Sequence, residues 1–148
     1  MINKALRYVR GTTGLVLTYK KSESLEIEGY SDSDFAGDVD DRKSMSGYIF
    51  TLANGAISWK SSKQSVTASS TMYAEFAACY EASGQVTWLK KFVPSLKVVD
   101  NIEKPLKLYC DNKLAVFYAH NNKSSGAAKH IDIKFYILRS KSRIKLFV

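Results

Sequence analysis

Three acidic residues stand where carboxylates do chemistry. Asp32 closes a β-like run, residues 25–32, and Asp111 directly follows another, residues 106–110. Glu75 lies about a turn inside a long helical stretch, on a face whose other members, Thr71, Ala78, Cys79 and Ala82, are small. Small side chains let a helix approach a sheet closely, so that face is expected to point inward and carry Glu75 toward the strand ends. A buried carboxylate is costly unless it is paired or bound to a cation. Two strand-end aspartates and a helical glutamate form an all-oxygen donor set suited to Mg²⁺ or Mn²⁺. Two such ions suit phosphodiester hydrolysis, one activating a water and the other stabilising the leaving oxygen. Each residue also has a plain structural reading. Asp32 and Asp34 are turn formers in Ser-Asp-Ser-Asp, Asp111 caps the helix after it, and Glu75 pairs with a lysine.

The elements that must position these residues follow from periodicity. A short basic helix is expected over residues 2–10, then strands over 14–19, 25–32, 46–52 and 56–61, the last two joined at Ala53-Asn54-Gly55. A long helix over 68–92 ends before Pro94. A strand at 106–110, a helix at 113–120, a loop at 121–126, a helix at 128–141 and a strand at 144–148 complete the chain. Meandering early strands followed by helix-linked ones imply a mixed sheet with helices packed on it.

Bulk properties agree with one compact domain. The chain has 148 residues and 45% apolar content, with no run long enough for a membrane span and no basic-then-apolar leader. Cys79 and Cys110 lack metal-ligand spacing and read as two lone thiols. The net charge of +8 favours polyanionic partners. It is unevenly spread: residues 23–41 carry eight acids and no cation, whereas Asp132 is the one acid from Lys123 to Val148. An acidic patch in a basic remainder suits a divalent ion surrounded by phosphates.

At these same residues a family resemblance emerges. The series runs Gly29-Tyr30-Ser31-Asp32-Ser33-Asp34-Phe35-Ala36-Gly37-Asp38, Asp41-Arg42-Lys43-Ser44-Met45-Ser46-Gly47-Tyr48, Ile57-Ser58-Trp59-Lys60, Lys63-Gln64, Ala74-Glu75-Phe76, Trp88-Leu89, Cys110-Asp111-Asn112 and Lys129-His130-Ile131-Asp132-Ile133. It closely resembles the ribonuclease H region of Ty1/copia-type retrotransposon Pol polyproteins, particularly those of plants. Leu6-Arg7-Tyr8-Val9-Arg10-Gly11-Thr12 resembles the connection that joins reverse transcriptase to that region. The resemblance implies a remnant of the connection over 1–22 and a ribonuclease H-like domain over 23–148.

The implied fold is α/β, a five-stranded mixed sheet flanked by helices. The implied activity is metal-dependent endonucleolytic hydrolysis of the RNA strand of RNA/DNA hybrids. Asp32, Glu75 and Asp111 take the catalytic and metal-binding roles, with two Mg²⁺ or Mn²⁺ ions. Lys60, Lys63, Gln64, Asn112 and Lys129 are expected to contact nucleic acid.

The chain departs from the family pattern in a few places. A fourth metal-binding aspartate belongs to a C-terminal motif absent here, so the domain is expected to be truncated, to lack the last helix and to be impaired. Asp132 opens an earlier helix and is not a substitute. Ala127 and Ser125 stand where many members carry Arg and His, and Tyr73 where many carry Glu. His130 reads as structural. An uncovered last strand, with Leu146, Phe147 and Val148, invites a protein partner or a second copy. The expected compartment is cytoplasmic, nuclear or both. The alternative reading is a catalytically inactive, host-adopted module that binds nucleic acid or protein.

Overall fold

The computed structural model describes residues 2–20, 25–97, 105–120, 136–138 and 144–148. In chain order the elements are α1 (Ile2–Gly11), β1 (Ile27–Asp34), β2 (Met45–Leu52), β3 (Gly55–Lys63), α2 (Thr71–Ser95), β4 (Leu106–Cys110), α3 (Lys113–His120) and β5 (Ile144–Phe147). The strands form one five-stranded mixed sheet in the order β3-β2-β1-β4-β5. β1, β2 and β3 are antiparallel neighbours, while β1–β4 and β4–β5 pair in parallel. The connections between parallel strands contain the helices, as parallel pairing requires.

Alternation sets the faces of the sheet. In β1, Ile27, Gly29, Ser31 and Ser33 are buried, whereas Tyr30, Asp32 and Asp34 are exposed. The buried face meets α2, which inserts Phe76, Cys79, Ala82, Val86, Leu89 and Val93 at helical spacing against Ile27, Phe50, Leu106, Leu108 and Cys110. Gly29 permits this packing: the Phe50 ring and the Leu108 Cδ1 occupy the space a Cβ would need. Ser70 caps α2, its hydroxyl accepting from the Tyr73 amide at 3.4 Å.

Four expectations are corrected. Residues 14–19 form no strand. Both edges of β1 are taken, by β2 and β4, and Leu15, Val16 and Leu17 stay exposed despite their strand-favouring character. Tyr19 is the residue of this arm that reaches the sheet, where its ring lies on Gly55 and its hydroxyl donates to the Ala56 carbonyl at 2.9 Å. β1 continues to Asp34, so Asp32 lies inside the strand rather than at its end. β3 extends to Lys63, because β2 starts at Met45 and pairs with it there, the register shifting between Phe50 and Thr51. Finally, α2 runs on to Ser95 with Pro94 in its last turn, where the missing N–H costs a single helical bond. Of the helix expected over 128–141, Tyr136–Leu138 are helical and the rest lies outside the described residues.

Candidate metal centre

β1, α2 and β4 converge on three carboxylates. Glu75 enters from α2 and is 3% exposed. Its Oε1 accepts from the Ser33 amide at 3.1 Å, and the Cys110 thiol donates toward its Oε2 at 4.0 Å. The same Ser33 amide reaches Asp32 Oδ1 at 2.8 Å, so one β1 N–H ties the first two carboxylates together. The third, Asp111, is exposed at the end of β4. One oxygen each of Glu75 and Asp111 and the Cys110 sulfur lie within 4.8 Å of one another. Asp32 is outside that group but near enough to act on Glu75 through charge.

The electrostatics follow from this convergence. Burial pushes the Glu75 carboxyl up to about 8, and the neighbouring Cys110, Asp111 and Asp32 contribute to the same rise. No ion pair of Glu75 forms among the described residues. Nor does Asp111 cap α3. That role falls to Asn112, whose Oδ1 accepts from the Ala115 amide at 3.0 Å. Asp111 is thereby released from capping. A buried carboxylate with two more nearby and no cationic partner among the described residues is a donor set that fits a divalent ion.

Some of this arrangement has no counterpart in the sequence-level expectation. Cys110 joins the carboxylates although its spacing gives no hint of it. The available signal is the alternation Leu106, Leu108, Cys110, which puts the thiol on the helix-facing side. Interaction between the neighbouring Cys110 and Cys79 thiols lowers Cys110 and raises Cys79, and Cys79 Sγ lies 3.2 Å from Ser31 Oγ. Both cysteines are free.

The residues expected to touch nucleic acid separate. Gln64 is buried, and its Nε2 donates to Ser46 Oγ at 2.8 Å, the Ala74 carbonyl at 2.9 Å and Ser33 Oγ at 3.4 Å. It braces β1, β2 and α2 directly behind the carboxylates, so its place is in the scaffold and not on the surface; its Oε1 has no partner among the described residues. Asn112 is a helix cap. Lys63 is engaged by Asp38 and, at 3.2 Å, by Asp41 across the charged turn, and its hydrogen bond holds the Asp38 carboxyl below the usual range. Lys60 and Trp59 stand exposed on β3, Trp59 at 70%. Lys129, His130 and Asp132 lie outside the described residues. Among the described residues no helix is long and apolar enough to cross a membrane.

No family model matches the chain. It is 41% identical over 134 residues to the retrovirus-related Pol polyprotein from transposon TNT 1-94 of Nicotiana tabacum, covering 90% of this chain and 10% of that protein. It is 33% identical over 139 residues to the Pol polyprotein from transposon RE1 of Arabidopsis thaliana, covering 94% of this chain and 9% of that one. The chain thus spans about a tenth of the length of these relatives. Among solved structures, LC11-RNase H1 in complex with an RNA/DNA hybrid superposes with a TM-score of 0.54 at 14% identity, over 82% of this chain and 81% of that one. The sheet order, the helices against it and these similarities agree: the chain is a homologue of the Ty1/copia-type retrotransposon Pol polyproteins of plants, and its fold is that of ribonuclease H.

Proposed function

We propose that this chain is a ribonuclease H-type domain that hydrolyses the RNA strand of an RNA/DNA hybrid, with Mg²⁺ or Mn²⁺ held by Asp32, Glu75 and Asp111. The observation that carries the reading is Glu75: a carboxylate 3% exposed, without a cationic partner among the described residues, close to Asp111 at the end of β4 and within charge range of Asp32 in β1. Homology to the Pol polyproteins and the fold of an enzyme solved with an RNA/DNA hybrid support the substrate class.

When bound, the divalent ions supply Lewis-acid activation of water and stabilisation of the leaving 3′ oxygen. The chain's own residues do the rest. The Ser33 amide holds Glu75 Oε1 and Asp32 Oδ1 close together, and Gln64 keeps Ser33 and the α2 backbone at Ala74 in place behind them. Exposed Asp32 and Asp111 form the side open to substrate. A cation in this site compensates the Glu75 charge that burial alone disfavours, so metal uptake is coupled to loss of the Glu75 proton. Lys60, exposed on β3, is assigned a phosphate contact.

The test is cleavage of a labelled RNA/DNA hybrid in Mg²⁺ and in Mn²⁺, with Asp32→Asn as control. Cleavage by wild type that disappears in the variant supports the reading. Equal activity in both would remove Asp32 from the site. No cleavage by folded wild type would favour an inactive binding module.

A further inference from the structure

Cys110 supplies a donor that a magnesium centre does not need. Its Sγ lies 4.0 Å from Glu75 Oε2. With one oxygen of Asp111 added, the donor atoms of the three residues all fall within 4.8 Å of one another. Neighbouring residues of a straight strand point to opposite faces. Here β4 ends at Cys110 and the chain bends at Asp111, so both donors turn toward the same glutamate. Glu75 and Cys110 are 3% and 2% exposed, and Asp111 stands on the open side. The Glu75 carboxylate is held with its two oxygens in different surroundings: the Ser33 amide fixes Oε1 at 3.1 Å, and Oε2 faces the thiol.

Two carboxylate oxygens and a sulfur are a different donor set from three carboxylates. Mg²⁺ takes oxygen ligands in near-octahedral geometry, so the thiol gives it nothing. Zn²⁺ accepts carboxylate oxygen and thiolate sulfur together, in a tetrahedron with Zn–O about 2.1 Å and Zn–S about 2.3 Å. In such a tetrahedron an oxygen and a sulfur stand roughly 3.6 Å apart. The 4.0 Å between Cys110 Sγ and Glu75 Oε2 exceeds that by a few tenths of an ångström, which small side-chain rotations supply. Soft thiolate among the donors is what selects Zn²⁺ over Mg²⁺.

We propose that Cys110, Glu75 and Asp111 form a site for a thiophilic divalent ion of the Zn²⁺ class, overlapping the magnesium centre and competing with it. The site rests on the two carboxylates assigned under the proposed function and does not need hydrolysis. As the Zn–S bond forms, the S–H bond breaks and the proton passes to solvent. The test uses the whole chain and metal salts, without nucleic acid. Zinc K-edge X-ray absorption of the wild type, which needs no variant, is expected to show sulfur in the nearest shell at about 2.3 Å beside oxygens. Co²⁺, the spectroscopic stand-in for Zn²⁺, is expected to give a thiolate-to-metal charge-transfer band. Cys110→Ser, which keeps a hydroxyl toward Glu75, should lose the band and weaken Zn²⁺ binding by more than about tenfold, the loss that even an outer-shell partner costs. Cys79→Ala should keep the band, and circular dichroism checks that both variants are folded. A zinc shell without sulfur, a band that survives in folded Cys110→Ser, a band lost in folded Cys79→Ala, or wild-type Zn²⁺ affinity in Glu75→Gln would each overturn the proposal. Sulfur-ligated zinc in a chain that cleaves no hybrid upholds this site and counts only against hydrolysis. Cleavage in Mg²⁺ by a chain whose zinc has no sulfur ligand does the reverse.

Discussion

Glu75 is the residue whose chemistry and stability oppose each other most directly. Its folded value of about 8 stands above the ordinary glutamate value of 4.5. Between those two values the folded protein holds a proton that the unfolded chain has released. Stability in the absence of metal is therefore fully present below about pH 4.5 and is lost as pH rises to about 8. A tenfold difference in proton affinity between the two states corresponds to about 1.4 kcal/mol, so the loss amounts to a few kcal/mol. Glu75→Gln is expected to flatten this dependence: urea unfolding at pH 8 in chelator should show the variant more stable than wild type, and at pH 4.5 nearly equal. Mg²⁺ should raise the melting temperature of wild type and leave the variant unmoved. A variant that follows wild type across the pH range would mean that Glu75 does not carry the effect. Asp32, Glu75 and Asp111 were singled out as ligand candidates in the sequence because strand ends and a small-residue helix face are local patterns, although β1 runs on past Asp32 to Asp34. Gln64 was not. A glutamine directly after a lysine, with a second lysine nearby, reads as surface, and its burial depends on Ser33, Ser46 and Ala74, brought from three other parts of the chain. Gln64→Ala leaves those groups with unmet hydrogen bonds in the interior, at a cost of roughly 2–4 kcal/mol. A urea midpoint unchanged from wild type would contradict that role.

At the scale of elements, the sheet's order decides what the local signals cannot. The hydrophobic run of residues 14–19 has strand propensity, but the two edges of β1 are filled by β2 and β4, and at β3 the run makes a side-chain contact through Tyr19 instead of a ladder. Period and composition give a segment's preference, and the competition for edges is settled only by the whole sheet. The α2 core stripe was legible for the opposite reason: a helix long enough to show its period names its buried side without reference to partners. Gly29 shows how tightly that stripe closes on the sheet. Phe50 and Leu108 fill the place of its missing side chain, both part of the buried core. Gly29→Ala should therefore destabilise the protein by about 1–3 kcal/mol through overpacking. Thermal unfolding checks this, and Gly84→Ala, on an open side of α2, is the matched control expected to stabilise slightly. Equal effects of the two substitutions would show that β1 can shift away from Phe50 without loss.

For the whole molecule, the proposed function raises the question of how a chain of net charge +8 would present an acidic centre to a polyanion. Separation of the charges answers it. Acids concentrate around β1 and the turn that follows, while cations lie elsewhere in the sequence; under the proposed function, phosphates would be held around a centre that repels them until a divalent ion neutralises it. The surplus of cations was legible from composition, but which of them is available was not. Lys63 and Lys60 are equivalent in sequence, yet Lys63 is committed to Asp38 and Asp41 whereas Lys60 is exposed on β3. A lysine already neutralised by two carboxylates releases few counterions from a nucleic acid, and an exposed one releases about one for each phosphate it meets. Under the proposed function, hybrid binding measured in Ca²⁺ should weaken linearly in log–log terms with salt. Lys60→Ala should reduce that slope by about 1. Lys63→Ala should leave the slope near its wild-type value and instead loosen the turn that joins β1 to β2, seen as faster amide exchange at residues 38–43. A reversed pattern, with Lys63 setting the slope, would mean that the hybrid breaks the Asp38–Lys63–Asp41 cluster on binding and that the charged turn itself closes on the substrate.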